Sequence, residues 1–116
     1  MAKIRVAFKV WFETEGKYIF GEGALKLLEE ISKFNSLSRA ADAVSMSYRY
    51  AWGLLNTIEK SMGAQVLTTH RGGKHGGGRS ELTERGKSLV ESYRKIKEDF
   101  EDLANRHSKH LESYTR

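Results

Sequence analysis

A basic, glycine-rich loop at residues 71–79 is the part of this sequence whose composition most directly implies a ligand. It reads Arg-Gly-Gly-Lys-His-Gly-Gly-Gly-Arg, so it holds five of the chain's eleven glycines and no acidic residue. Glycine has no Cβ, which allows the backbone to approach another surface closely. The cations Arg71, Lys74 and Arg79 require that this surface be anionic. We therefore expect the loop to contact phosphate.

Two other interpretations of the loop remain open at this point. A disordered tether is also glycine-rich, although tethers are usually serine-rich or mixed in charge. A nucleotide site is suggested by Gly73–Ser80, which matches the phosphate-binding pattern G-x-x-x-x-G-K-S except that Arg79 replaces the lysine. Against this, the next helix is predicted to begin only near Thr83, and so short a chain leaves little room for a nucleotide-binding sheet.

The overall composition suits a small binding protein. The chain has 116 residues, 20 of them basic and 15 acidic, with a net charge of +5 and a pI near 9.5. This length fits one domain over residues 1–116, and the charge favours nucleic acid or another acidic partner. Cysteine is absent, and no apolar run approaches the roughly 20 residues of a membrane span. We expect a soluble, cytoplasmic, nucleoid-associated protein without a signal peptide.

The residues that enzymes commonly use are not grouped in this sequence. It has no cysteine nucleophile, no His-Glu-x-x-His motif and no close pair of carboxylates in a glycine-framed pocket. His107 and His110 could share one helix face and hold a metal if doubled in a dimer, but such a pair more often lies at the fraying end of a coil. We expect no catalytic residue, no metal and no cofactor, and hence not an enzyme.

The elements that would position the loop begin with a predicted β-hairpin at 3–20. Apolar residues occupy every second position of Ile4–Phe12, which is the period of a strand with one buried face. Gly16 would form the turn and residues 18–20 the returning strand. Two strands are marginal in water, so the hairpin must pack on its own domain or on a second copy. Trp11 on the outward face favours a second copy.

Helical spacing predicts three helices within residues 23–62. They are expected at 23–34, 39–44 and 48–61, with Ser38 and Ser47 as the N-caps of the second and third. In the third, the apolar stripe consists of Ala51, Leu55, Ile58 and Met62, and the opposite face carries Arg49, Gly53, Asn56 and Lys60. Two helices that meet at a tight turn, the second polar and basic at its start, indicate a helix-turn-helix.

The loop then falls inside a wing predicted at 65–82. Residues 65–70 read as a strand and 80–82 as a short returning strand, with the basic loop between them. Three helices followed by strand, loop and strand are the order of a winged helix. We therefore predict a mainly helical α+β fold: a winged helix-turn-helix with an N-terminal β-hairpin and a long C-terminal dimerisation helix.

This last helix is predicted at 83–114, capped by Thr83. Its apolar positions step by four and three residues through Leu89, Tyr93, Ile96, Phe100, Leu103 and His107. That spacing is a heptad seam, which favours a helix pair in a homodimer. The alternative is that the helix folds over the hairpin of the same chain.

Several motifs together resemble the N-terminal DNA-binding domain of the ModE family of molybdate-responsive transcriptional regulators. They are Gly21–Gly23, Ser36–Ala41, Ser47–Trp52, the glycine-rich Gly72–Gly78 and Leu82–Gly86, so the resemblance covers nearly the whole chain. It implies a dimeric winged helix that binds an operator. Family members often continue into a domain that binds the oxyanion, and this chain resembles the form without it. Molybdate sensing is therefore not implied. Arg49 stands where the family often has lysine, and arginine favours bidentate contact with guanine.

The candidate DNA contacts follow from this predicted fold. Ser47, Tyr48, Arg49 and Tyr50 would enter the major groove, with Arg49 reading a base. Ser38 and Arg39 would hold phosphate at a helix start. Lys74, His75 and Arg79 would straddle the backbone or reach the minor groove, and Arg71 would anchor the base of the wing.

Two further expectations concern aromatic residues and the class of DNA binding. Trp52 and Tyr93 are expected to pack in the core or in a dimer rather than to stack on bases. A sequence-blind architectural DNA-binding protein would have the same basic wing, but it would not need the compact Ser-Tyr-Arg-Tyr cluster at 47–50. A homodimer on an inverted-repeat operator is the favoured function.

Overall fold

Four helices and two antiparallel hairpins follow one another in the computed structural model, which describes residues 3–70 and 78–111. The elements are β1 Phe12–Thr14, β2 Lys17–Phe20, α1 Glu22–Phe34, α2 Leu37–Ala43, α3 Tyr48–Met62, β3 Leu67–His70, β4 Arg79–Leu82 and α4 Glu84–Leu111. Strand β1 pairs with β2 and β3 with β4, so each hairpin is a sheet of its own. This is the mainly helical α+β arrangement that the sequence predicted.

The core forms around α1, which contacts α2, α3, α4, β2 and β4. Its largest fully buried side chains come from five different parts of the chain: Phe20, Leu27, Leu28, Ile31, Ile58, Val66 and Tyr93. Burying an aliphatic or phenyl side chain of this size contributes roughly 1.5–3 kcal/mol relative to leaving it exposed. Helix α2 instead buries Ala40 and Ala41, whose small size lets it lie close to its neighbours.

The start of α2 differs from the prediction. Ser36, not Ser38, is the N-cap: its Oγ accepts a hydrogen bond from the Arg39 backbone N–H at 3.1 Å. Either serine could cap a helix, but Leu37 is buried and faces the core only if the helix already includes it. Ser38 therefore lies inside the first turn. The cap of α3 is as predicted, because Ser47 Oγ accepts from the Tyr50 N–H at 3.0 Å.

The long first strand predicted at Ile4–Phe12 is wrong, since only Phe12–Thr14 pairs with β2. The preceding segment lies along α4 of the same chain. The Val6 N–H donates to Ser108 Oγ at 2.8 Å, and the Phe8 and Phe100 rings stack with centroids 5.8 Å apart. Alternating apolar positions also suit an extended segment with one face against a helix, so the period of two did not identify the partner.

Helix α4 has 28 residues and is about 42 Å long, and the chain measures 66 Å along its longest axis. Thr83 caps it as predicted, accepting from the Gly86 N–H at 3.1 Å. Two ion pairs bind it to α1, one between Arg94 and Glu29 and one between Lys97 and Glu22. The Lys97 hydrogen bond is the main reason why the pKa of Glu22 lies below its ordinary value.

Only part of the predicted heptad seam on α4 is buried. Tyr93 is in the core and its hydroxyl donates to the Val10 carbonyl at 2.9 Å. Its ring meets those of Phe12 and Phe20 edge-on, with centroids 5.5 and 5.3 Å away. Further along, an apolar strip made of Ile96, Phe100 and Leu103 remains exposed. The same-chain alternative thus accounts for part of the apolar surface of the helix, and this strip remains more than a third exposed although Phe8 stacks on Phe100.

Replacing Tyr93 with phenylalanine tests how the N-terminal segment is held. The ring and its contacts remain, but the Val10 carbonyl loses its donor, so we expect a loss of about 1 kcal/mol in the free energy of unfolding. Urea denaturation measures this loss. Tyr48→Phe is the matched control because that side chain is exposed. Equal stability of Tyr93→Phe and the wild type would contradict the assignment.

The same variant tests a pH dependence. Burial, and then the nearby Glu22 carboxylate, raises the pKa of Tyr93 from 10.0 to about 12. When the pKa of a group is higher in the folded state than in the unfolded state, its contribution to stability is fully present at pH values below the unfolded-state pKa. This contribution is lost as the pH rises through the folded-state pKa. We expect the stability difference between wild type and Tyr93→Phe to be constant up to about pH 10 and to shrink toward pH 12. A difference independent of pH across this range would contradict the assignment.

Candidate nucleic-acid interface

Helix α3 is held by an apolar stripe and presents a polar face outward. Ala51, Leu55 and Ile58 are buried, as predicted from their spacing. The opposite face contains Arg49, Gly53, Asn56 and Lys60, with two cations and no acid. The side chain of Arg49 is exposed and makes no hydrogen bond or ion pair within residues 3–70 and 78–111. A guanidinium in this setting is available to an external acceptor.

Tyr48 and Tyr50 do not share the outward face, although the sequence grouped them with Arg49. Successive helical residues are about 100° apart, which places these two side chains on opposite flanks of α3. Both are more than half exposed. The outward face is thus bordered by one tyrosine on each side at its N-terminal end.

On the wing-facing flank, Tyr48 and Trp52 border a groove of about 490 Å³ between α3 and the β3–β4 hairpin. Trp52 is 55% exposed, so it does not pack in the core and its packing in a dimer stays a prediction, whereas Tyr93 is buried as expected. The remaining lining is mostly polar and includes Asn56, Gln65, Thr68 and Thr69. Among the described residues of the groove, the charged side chain is that of Glu59, so its lining is not basic.

On the opposite flank, Tyr50 comes near Tyr18 of β2. Burial, and secondly this neighbour, raises the pKa of Tyr18 above its ordinary value. A Cβ at Gly21 would lie 1.9 Å from the Tyr18 hydroxyl oxygen, so glycine is required there for Tyr18 to keep its position. The Trp11 ring lies 6.4 Å from that of Tyr18. The hairpin therefore supplies exposed aromatic surface beside the start of α3.

The base of the wing is joined to α3 by a contact that the sequence analysis missed. The Glu59 carboxylate accepts hydrogen bonds from the Val66 and Leu67 N–H groups through Oε2, at 2.8 and 3.1 Å. An acid in the last turn of a helix is disfavoured by the helix dipole. The presence of Glu59 at this unfavourable position was the sequence signal that its carboxylate binds a specific group elsewhere in the chain.

The other predicted contact residues are divided between described and undescribed parts of the chain. Ser38 and Arg39 are exposed in the first turn of α2. Arg79 begins β4 opposite His70, and its Nε donates to the Glu81 carboxylate at 2.6 Å. This pair is largely exposed and therefore weak, so phosphate could displace it. Arg71, Lys74 and His75 lie outside the described residues.

Gly53 occupies the middle of the outward face of α3. A Cβ built at this position would have no atom within 4 Å, apart from its chain neighbours and its own helix backbone. Glycine in a helix interior costs roughly 0.5–1 kcal/mol relative to alanine. Among residues 3–70 and 78–111, therefore, the absence of a side chain at Gly53 brings no packing advantage.

The two histidines of the last turns of α4 do not form part of a larger cluster of metal-binding residues in the described ranges. The rings of His107 and His110 lie 6.2 Å apart, and no group of three metal-binding side chains was found in the two described ranges. The described helices include none with the length and apolarity needed to cross a membrane.

Comparison with known proteins places these features in a family context. No family model matches the chain. It is 28% identical to the molybdenum transport protein ModE of Azotobacter vinelandii over 99% of its length, and 34% identical to the molybdenum-pterin-binding protein MopB of Rhodobacter capsulatus over 78%. The transcriptional regulator ModE of Haemophilus influenzae is 35% identical over 60% of the chain. The chain spans 42%, 33% and 27% of these relatives, respectively.

A solved structure agrees with the fold. The protein in a crystal structure of the CbnR DNA-binding domain with DNA superposes with a TM-score of 0.53 at 24% identity, covering 82% of this chain and 99% of that one. This likeness and the order of elements confirm the predicted winged helix-turn-helix. The resemblance seen in the motifs is confirmed as well: the chain is ModE-like in sequence over nearly all of its length and has a winged helix-turn-helix fold.

Proposed function

We propose that this chain binds duplex DNA as a sequence-specific transcriptional regulator, with α3 in the major groove. The main support for the proposal is the outward face of α3, which carries polar groups and no acid. Arg49 on this face has no ion-pair partner among residues 3–70 and 78–111. Relatives named as transcriptional regulators and a structural neighbour crystallised with DNA support it. In this proposal the protein binds DNA and does not catalyse a reaction. It acts in the cytoplasm, where the DNA is.

Each part of the interface has a separate task in this proposal. Arg49 reads a guanine through two hydrogen bonds, while Ser47, Tyr48 and Tyr50 contact the walls of the groove. Ser38 and Arg39 hold a phosphate beside the start of α2. In the wing, Lys74, His75 and Arg79 contact the backbone or the minor groove, and Arg71 anchors the wing's base.

We further propose that two copies bind an inverted repeat, joined through α4 and the N-terminal segment. The exposed strip of Ile96, Phe100 and Leu103 is continuous with Phe8, which stacks on Phe100. A small apolar cavity of about 210 Å³ between this segment and α4 adds to the surface. A second copy is the occupant because the strip continues the heptad spacing of α4, and such spacing pairs helices.

Salt dependence of DNA affinity is the direct test of the proposed function. If the dimer neutralises about eight phosphates, the logarithm of the affinity should fall against the logarithm of salt concentration with a slope near −7. Fluorescence anisotropy with a labelled duplex, chosen by selection from a random pool, measures it. A slope near zero would rule out this mode of binding. Full competition by random duplex would instead indicate a sequence-blind architectural protein.

One arginine substitution and one lysine substitution should distinguish base recognition from phosphate contact. Arg49→Ala should lower affinity for the selected duplex by about 1–3 kcal/mol and relax preference at one base pair. Lys74→Ala should weaken all duplexes similarly and reduce the salt slope by about 1. Binding of both variants to duplexes mutated at single positions measures the difference. If the two effects were exchanged, the assigned roles would be wrong.

Glu59→Ala tests whether the wing must be held against α3. Two backbone N–H groups lose their acceptor, so we expect a loss of roughly 1.5–3 kcal/mol in unfolding free energy. Binding of all duplexes should weaken, although removal of a negative charge would by itself strengthen it. Glu30→Ala on α1 is the control for the charge effect. Tighter DNA binding by Glu59→Ala would show that its contact does not position the wing.

Phe100→Glu tests the dimer. A charge in the middle of the apolar strip should shift the protein to monomer at micromolar concentration and abolish preference for an inverted repeat over a single half-site. Sedimentation velocity measures the first effect and binding the second. Phe34→Glu, at an exposed phenylalanine on α1, is the matched control. A monomeric wild type, or a dimeric Phe100→Glu variant, would contradict the proposal.

A further inference from the structure

Gly53 is the glycine of the described chain that lies in the middle of a helix, since α3 runs from Tyr48 to Met62. Gly16 and Gly63 have φ values of +76° and +66°, a conformation that favours glycine. Gly86 is required by its neighbour, since a Cβ there would lie 2.4 Å from the Val66 carbonyl oxygen, and a Cβ at Gly21 would displace the exposed Tyr18 hydroxyl. Gly23 and Gly78, near a helix start and in a loop, would meet only ordinary contacts at 3.6 and 3.7 Å. Gly53 has neither reason: it has no left-handed φ, and outside its own helix no atom of the described residues lies within 4 Å of its Cβ position.

The surroundings of Gly53 form a notch on the outward face of α3. One helical turn away on either side are Arg49 and Thr57, and Asn56 lies on the same face. The Thr57 hydroxyl donates back to the Gly53 carbonyl at 3.0 Å, so it is satisfied within the helix. Arg49 and Asn56 have no hydrogen-bond partner in the ranges that the structure describes. Two free polar side chains therefore border a bare stretch of backbone.

A helix interior tolerates glycine only at a cost in stability, which an alanine would remove. Since the described part of the chain makes no use of the missing side chain, a reason for the glycine is sought in a binding partner. Glycine in such a position allows a partner to approach the helix backbone more closely than any side chain would permit. The notch lies beside the arginine assigned to base reading, so the approaching group belongs to the same partner.

We propose that Gly53 is a specificity-determining position at which the edge of a base pair in the major groove comes into contact with the α3 backbone. This rests on the proposed function of α3. The missing Cβ sets how deeply the helix enters the groove, and so it determines whether Arg49 and Asn56 reach their bases. Asn56 is then a second reader, since an asparagine amide can bind adenine through two hydrogen bonds.

The test is a substitution with opposite effects on stability and on binding. Gly53→Ala should raise the melting temperature by about 2–5 °C, because alanine is the better helix former. It should reduce affinity for the selected duplex by roughly tenfold, because the added methyl meets a closely packed surface. Affinity for random duplex, which is held through the backbone, should change by less than about twofold. Gly53→Leu should lose more affinity for the selected duplex than Gly53→Ala.

Ser32→Ala is the matched control, because it improves helix propensity at an exposed position of α1. It should raise the melting temperature without changing either affinity. Unchanged binding of the selected duplex by Gly53→Ala would overturn the inference while the proposed function stands. Equal losses on both duplexes, or a lower melting temperature, would also overturn it. Failure of the wild type to bind duplex DNA would refute the proposed function, and this inference with it.

Discussion

The backbone at Val66 joins three elements whose relative placement determines the interface. Its N–H donates to Glu59 of α3, its carbonyl accepts from the Thr83 N–H at 3.0 Å, and its side chain is fully buried. The same carbonyl lies so close to Gly86 that any side chain there would overlap it. One residue at the start of the wing is thereby fixed to α3 and to α4 at once. The base of the wing and the outward face of α3 are therefore held in a fixed mutual orientation at Val66.

In the proposed DNA surface, the role of each side chain depends on its position around α3. The outward face carries the free Arg49, whereas the two flanks carry aromatic side chains that belong to different neighbourhoods. Tyr48 and Trp52 lie toward the wing, and Tyr50 lies toward the hairpin. In the proposed function, hydrogen bonds from the outward face choose the sequence and the flanks fill the sides of the groove. The basic wing then supplies affinity that depends on salt.

Helix α4 and the N-terminal segment illustrate how one apolar pattern can be satisfied in two ways. The segment before β1 covers one side of α4 through Val6, Phe8 and Val10, a role for which the sequence suggested a strand partner or a second copy. The strip of Ile96, Phe100 and Leu103 is still exposed afterwards. Coverage within the chain is therefore partial, since Phe100 contacts Phe8 and is still 44% exposed.

The sequence by itself determined the elements whose signals are local. The helical periods of α1 and α3, the Ser47 and Thr83 caps and the paired strands around the wing were all predicted, because each depends on residues a few positions apart. The fold class followed from their order, and the resemblance to ModE followed from the motifs quoted for it. Arg49 and Lys60 were likewise placed on one face by spacing alone.

Only the tertiary structure decided matters that depend on residues distant in sequence. The burial of Leu37 selected Ser36 over Ser38 as a cap, and α4 replaced a strand as the partner of Val6 and Phe8. Trp52 proved to be exposed because the groove beside the wing leaves it uncovered. Periodicity gives the direction in which a side chain leaves its own helix or strand. What lies in that direction is set by the packing of other elements, which the local pattern does not contain.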